Sequence, residues 1–166
     1  NNLMYIVGNA THFVAAFVKF SLKFNFSILD VRDQFRKWRE DNERRSSDVI
    51  ELWEAILEDK VQKTGNERHL ILEQVIMAAL DTGHMEIAKN CIKELSTEFP
   101  GSLRVMKFKA MRLEAVERYD DALDVLDAII AKDETNAAPR KRKIAILKAK
   151  GSRSETIHEL TEYLKK

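Results

Sequence analysis

The sequence predicts an all-α protein. Its 166 residues include only five glycines and two prolines, too few for the many tight turns of a β-rich fold. From about Asp30 onwards, short amphipathic segments alternate with polar or turn-forming residues. In one such segment, Ser47 or Asp48 is expected to cap a helix. The apolar residues of this segment recur at helical spacing and predict a buried face: Val49, Leu52, Trp53, Ile56, Leu57 and Val61.

A period of 34 residues runs through the second half of the chain. A small residue near the start of a second helix lets two backbones approach, and large apolar residues four and seven positions later fill the seam between them. These repeat-packing residues are predicted to be Ala88, Ile92, Leu95, Ala122, Leu126, Ile129, Thr156 and Leu160. Tyr163 continues the pattern. This length and pattern predict a tetratricopeptide-repeat solenoid of antiparallel helix pairs.

The period places repeats at residues 69–102, 103–136 and 137–166, the last one truncated. Pro100 and Gly101 break the chain between the first two repeats, and Ser102 is expected to cap the next helix. Residues 28–68 are predicted to form an atypical N-terminal helical pair, because their spacing fits the 34-residue frame poorly. The tetratricopeptide-repeat domain therefore spans residues 28–166.

Residues 1–27 form an apolar N-terminal extension of a different character. The run from Leu3 to Val18 is interrupted by Asn9 and His12, so it falls short of the roughly 20 apolar residues that a spanning helix needs. A membrane anchor stays an alternative for this segment. Because the chain opens with Asn1 and ends within a predicted helix, we expect it to be a fragment of a longer protein.

Charge and cysteine content exclude several classes of function. The 28 basic and 27 acidic residues give a net charge of +1, which disfavours nucleic-acid binding. The single cysteine, Cys91, excludes an internal disulfide and fits a reducing compartment. The four histidines lie far apart, so no metal site is expected. The sequence contains no phosphate-binding glycine loop and no nucleophile paired with a base, so neither an enzyme, a cofactor nor a small-molecule substrate is predicted.

Several longer motifs go beyond the general repeat pattern. They are the segments 36–40, 73–81, 99–105, 117–122, 140–146 and 159–164. Over about residues 30–166 these segments resemble the sequences of one family, that of subunit 2 of the endoplasmic reticulum (ER) membrane protein complex. Residues 1–27 depart from that family.

The resemblance implies a non-catalytic scaffold at the cytosolic face of the ER membrane. As a peripheral subunit it would contact the other cytosolic subunits and the cytosolic ends of transmembrane subunits. The complex would insert tail-anchored and multipass proteins into the ER membrane.

One dense basic cluster stands out as a candidate partner contact: Arg140, Lys141, Arg142 and Lys143. It could bind anionic headgroups, an acidic segment of a partner or a client protein. A solvated helix face is the alternative, because Glu134, Glu155 and Glu159 are near enough in sequence to neutralise part of the cluster.

A free-standing peptide-binding adaptor or co-chaperone is the alternative function. Such adaptors grip a C-terminal carboxylate with side chains that project from the first helices, five and nine residues into each repeat. These positions hold Glu73, Met77, Lys107, Met111, Lys141 and Ala145. Two lysines are present, but the amide side chains are not.

Overall fold

The computed structural model describes residues 27–165, and every regular element within that range is a helix. The predicted all-α fold is thereby confirmed. Expectations for the apolar segment 1–26 lie outside the described residues. The α-helices are α1 Ile28–Glu40, α2 Ser46–Leu52, α3 Arg68–Thr82, α4 Met85–Glu98, α5 Leu103–Ala115, α6 Tyr119–Lys132, α7 Ala137–Lys150 and α8 Arg153–Leu164.

Three consecutive helix pairs stack to form the solenoid that the 34-residue period predicts. The second helices begin at Met85, Tyr119 and Arg153, each 34 residues after the one before. Helix α3 packs on α4, α5 on α6 and α7 on α8, while α4 packs on α5 and α6 on α7. Helices α3 and α5 also touch directly. The first helices of successive pairs therefore lie side by side along one surface.

Each pair turns through a left-handed backbone position. Gly83 and Gly151 have φ values of 80° and 83°, conformations that cost a glycine nothing. Glu117 occupies the equivalent position in the middle pair at φ 59°. The turn geometry is thus the same in all three pairs, although one of them holds a residue poorly suited to it.

The N-terminal pair departs from the regular pattern. Helix α2 continues as a π-helical turn at Trp53–Leu57, and a 3₁₀ segment at Val61–Glu67 is kinked at Gly65. Ile50, which precedes this turn, is buried in addition to the predicted stripe, and Ile56, which lies within the wider π turn, is only partly buried.

Two helix starts differ from the predicted capping. Helix α2 begins at Ser46 and has no side-chain cap, so neither Ser47 nor Asp48 serves as one. Ser102 does occupy the N-cap position of α5, but its hydroxyl makes no capping hydrogen bond. Asn136 caps α7 by accepting a hydrogen bond from the backbone N–H of Ala138 at 3.1 Å.

The core forms two clusters along the solenoid. The first joins α1 to α5 and centres on Phe35, Leu57, Ile71, Leu72 and Ile76, all 0% exposed. The second joins α5, α6 and α7 around residues that include Ala110 and Leu126. Burial of apolar side chains, at roughly 25 cal/mol per Å², holds the repeats together.

Candidate protein-interaction groove

Two cavities lie along the first helices of the pairs. One, of about 530 Å³, lies between the α1–α2 connection, α3 and α5. The other, of about 660 Å³, is lined by residues of α5, α6 and α7. Arg104 and Lys107 line both, so the two cavities are neighbours along α5, and together we call them the interaction groove.

Apolar side chains form patches within the interaction groove. In its first section, Leu70 on α3 is 42% exposed, and Met77 lies on the same wall. Phe108 and Val49 are buried beneath. In the second section, α7 contributes small apolar groups such as Ala145. Leu70 together with the apolar side chains around it, rather than as a single exposed residue, gives a surface that can bury a partner's side chain.

Charge in the interaction groove is unbalanced towards positive. Seven of its lining residues are basic: Arg39, Arg44, Arg45, Arg104, Lys107, Lys141 and Arg142. Four are acidic: Glu43, Glu73, Asp81 and Glu114. The lining therefore carries a surplus of three positive charges, in a chain whose formal net charge is +1.

All four acidic residues are already paired with arginines. Arg45 Nε lies 2.8 Å from Glu43 Oε2, and Arg44 binds Asp81 through two bonds of 2.6 and 2.5 Å. The two remaining pairs join consecutive first helices: Arg104 with Glu73, and Arg142 with Glu114.

Asp81 is the best anchored of these carboxylates. Burial alone would raise its pKa, but hydrogen bonds from Arg44 and from the Ser46 hydroxyl hold the pKa below its ordinary value of 3.8. The carboxylate is consequently charged at neutral pH and ties α2 to α3 at the rim of the interaction groove.

Two lysines of the interaction groove have no carboxylate partner within residues 27–165. Lys107 projects where the two sections meet and is exposed. Lys141 lies with its ammonium nitrogen 6.0 Å from the centre of the Tyr163 ring. These two positions, together with Glu73, Met77 and Ala145, belong to the set expected for a peptide-binding adaptor, and all five line the groove.

The predicted basic cluster does not form a single patch. Consecutive residues on a helix diverge by about 100°, so the four side chains point in different directions. Arg142 turns into the interaction groove, whereas Lys143 faces α6 and α8 and binds Asp127 and Glu159 at 2.7 and 2.6 Å. The Nε atom of Arg140 is buried without a hydrogen-bond partner.

Most of the predicted packing residues lie in the core. Ala88, Ile92 and Leu95 are buried, as are the equivalent residues of α6: Ala122, Leu126 and Ile129. In α8, Thr156 is half-buried and Leu160 is 43% exposed. Helix α8 has no buried residue because it packs mainly on α7, which leaves its other side without a neighbouring helix in the described part of the chain.

The sequence interpretation missed Arg104, Arg44 and Asp81, and it did not pair Arg142 with Glu114. Their signal was present as opposite charges separated by about one repeat, since Arg104 follows Glu73 by 31 residues and Arg142 follows Glu114 by 28. Such pairs indicate contacts between first helices once the period is known.

In the described residues no three histidine, cysteine or carboxylate side chains are grouped so as to hold a metal ion. Among the helices between residues 27 and 165, none combines the length and the apolar character required to cross a bilayer.

Comparison with known proteins gives several relatives. No protein-family model matches the chain. The ER membrane protein complex subunit 2-A of Xenopus laevis is 49% identical over 146 residues, which are 88% of this chain and 49% of the relative. The subunit 2 of Dictyostelium discoideum is 31% identical over 142 residues, 84% of this chain and 44% of the relative.

A tetratricopeptide protein is also similar. The TPR repeat protein oca3 of Schizosaccharomyces pombe is 34% identical over 105 residues, 63% of this chain and 37% of that protein. The chain spans about half the length of the curated subunit 2 relatives that it matches. The similarity therefore covers most of this chain but only part of each relative.

Proposed function

We propose that this chain, which belongs to the family of subunit 2 of the ER membrane protein complex, is a non-catalytic scaffold that holds other subunits of that complex in its interaction groove. The chain would lie at the cytosolic face of the ER as a peripheral component. The complex so assembled would support insertion of tail-anchored and multipass proteins into the membrane.

The observation that carries this proposal is the interaction groove itself. It runs across α3, α5 and α7, and it combines exposed apolar side chains with a surplus of positive charge. An extended surface of this kind, built from stacked repeats, is what solenoids use to bind other proteins. The relatives named above are subunits of a multiprotein complex, which supplies the class of partner.

The internal ion pairs favour a scaffold over a catalyst. The groove's carboxylates are each paired with an arginine, and three of these pairs link one helix pair to the next. Paired in this way, the carboxylates stabilise the relative position of the helices and present a fixed surface. A fixed surface lowers the entropy cost of binding a partner.

The test is a pull-down of the tagged full-length protein from cells in mild detergent, with its partners identified by mass spectrometry. We expect a stoichiometric set of ER membrane protein complex subunits. Lys107→Glu should reduce their recovery by about fivefold or more, because it reverses the unpaired charge at the centre of the groove.

The matched control is Lys109→Glu. Lys109 is also exposed and lies on α5, but it does not line the groove. If both variants recovered the same amount of ER complex subunits, the interaction groove would not be the surface that binds them. Recovery of no ER subunit by the wild-type protein would refute the scaffold function as a whole.

The adaptor function is supported by one specific observation, the position of Lys107 and Lys141 in the groove. Two ammonium groups on consecutive first helices can bind the carboxylates of an extended peptide. Micromolar binding of an acidic C-terminal peptide, abolished by Lys107→Glu, together with a pull-down that contains only chaperones, would favour the adaptor.

A further inference from the structure

Two arginines precede two serines in the connection between α1 and α2. Arg44 and Arg45 stand three and two residues before Ser47. No other serine or threonine of the sequence has basic residues at both of these positions. Residues 41–45, which contain both arginines, are non-helical, and Ser47 lies in the first turn of α2, so only the end of that helix must open for the segment to enter an extended binding cleft.

The structure distinguishes the two serines. Ser46 is half-buried, and its hydroxyl donates a hydrogen bond of 2.6 Å to Asp81. Ser47 is exposed, and its hydroxyl has no hydrogen-bond partner among the described residues. Of these two serines, only Ser47 therefore has a hydroxyl group that is free to react.

We propose that Ser47 is a phosphorylation site for an arginine-directed serine/threonine kinase. In the reaction the Ser47 Oγ attacks the γ-phosphorus of ATP, the bond to ADP breaks, and the hydroxyl proton passes to a base of the kinase. The side chains of Arg44 and Arg45 are 66% and 54% exposed, so their guanidinium groups are accessible to carboxylates of the kinase.

The present partners of the two arginines do not prevent this recognition. Arg45 pairs with Glu43 and Asp48, and Arg44 pairs with Asp81. Ion pairs of exposed side chains contribute about 0–1 kcal/mol in general, so a kinase carboxylate can replace them.

Phosphorylation would act on the rim of the interaction groove. A phosphoserine carries a charge of about −2 near neutral pH. Within three residues of Arg44, this dianion competes with Asp81 for the guanidinium group. The bond between the α1–α2 connection and α3 would weaken as a result, and the first section of the groove would lose one of its fixed walls.

The modification is tested on the full-length protein with the catalytic subunit of cyclic-AMP-dependent protein kinase and ATP, and the phosphate is located by mass spectrometry. We expect it on Ser47. Arg44→Ala and Arg45→Ala should each lower the initial rate about tenfold or more. Ser46→Ala is the matched control and should leave the rate unchanged. Phosphate on Ser46, or a rate unaffected by both arginine substitutions, would overturn the assignment.

The structural consequence has a separate readout in hydrogen exchange. The amide group of Glu43 donates a hydrogen bond of 2.8 Å to the carbonyl of Trp38 in the connection that Arg44 ties to α3. We expect this amide to exchange faster in the phosphorylated protein, and equally fast in unphosphorylated Arg44→Ala. Unchanged exchange after phosphorylation would disprove the effect on the groove. Neither experiment requires the ER complex, so their outcomes are independent of the proposed scaffold function.

Discussion

Lys143 and Glu159 form an ion pair of 2.6 Å between Nζ and Oε1 that joins α7 to α8. Lys143 also lies 2.7 Å from Asp127 on α6, so one side chain connects three helices. The side chains of Lys143 and Glu159 are only 16% and 21% exposed. Helix α8 has no fully buried residue, so this partly buried contact is one of the interactions that attach it to α7.

We predict that Lys143→Met lowers the free energy of unfolding by about 1–2 kcal/mol, less than for a fully buried pair because the site is partly hydrated. Thermal and urea denaturation followed by circular dichroism would measure the change. Lys148→Met on the same helix is the control, since Lys148 is exposed and has no ion-pair partner in the described chain. Equal losses from both substitutions would contradict the role of the three-helix contact.

The stabilisation from Lys143 should also depend on pH. Burial alone would lower the pKa of Lys143, but hydrogen bonds and charges from Asp127 and Glu159 raise it above its ordinary value of 10.5. The contribution is therefore complete below pH 10.5 and disappears as the pH rises through the raised pKa. The difference in unfolding free energy between wild type and Lys143→Met should be constant from pH 7 to 9 and shrink at higher pH. A constant difference up to pH 12 would argue against this titration.

In the middle repeat, one residue has a backbone conformation that its side chain disfavours. Glu117 adopts φ 59°, whereas Gly83 and Gly151 occupy the same position in the neighbouring pairs. A left-handed conformation costs a residue with a side chain roughly 1–2 kcal/mol, and glycine loses about 0.5–1 kcal/mol through its greater freedom in the unfolded chain. We expect Glu117→Gly to stabilise the protein by about 0.5–1 kcal/mol in urea denaturation.

The reciprocal substitution is the control for this effect. At Gly83 an added Cβ would meet no atom within 4 Å, so Gly83→Ala changes backbone strain without creating a clash. It should destabilise the protein by about 1 kcal/mol. If Glu117→Gly were destabilising while Gly83→Ala was neutral, strain at the turn would not explain the pattern.

The helix pairs could be predicted from the sequence because their packing repeats at fixed spacing. The small residues Ala88 and Ala122 mark two of the pairs, and close approach of two helices requires small residues there. The N-terminal helix pair does not follow this 34-residue period. Its register changes at the π turn and at Gly65, and local propensity does not signal either change.

The interaction groove was less predictable than the fold. The basic cluster is dense in the sequence, but its side chains separate in the fold. Lys143 faces the interior, and Arg142 forms an ion pair with the preceding repeat. The adaptor pattern named Lys107 by its place in the repeat, but its position between two cavities depends on how α3, α5 and α7 are arranged. A groove depends on which helices are neighbours, and a charge pattern along one helix does not contain that information.

Close packing at Ala122 gives a further prediction. Ala122 is 0% exposed and lies near the start of α6, where it faces α5. Replacing it with leucine adds three carbons to a filled seam and should cost about 1–3 kcal/mol of unfolding free energy. Ala128→Leu adds the same atoms at an exposed position of the same helix and should change stability by less than about 0.5 kcal/mol. Urea denaturation of both variants distinguishes a packing effect from helix propensity.

Cys91 provides a probe of the core because it is the only cysteine of the chain. Burial, together with the charges of Glu94 and Glu58, raises the pKa of its thiol to about 12. At pH 8 the reactive thiolate is therefore about one part in ten thousand, and the residue is only 2% exposed. We expect iodoacetamide to label the native protein at least about a hundredfold more slowly than the urea-unfolded chain, as followed by intact mass.

The same labelling reports on the packing variants. Ala122→Leu should accelerate labelling by raising the population of unfolded molecules, whereas Ala128→Leu should not. Rapid labelling of the wild-type protein under native conditions would mean that α4 separates from its neighbours far more readily than its buried contacts imply.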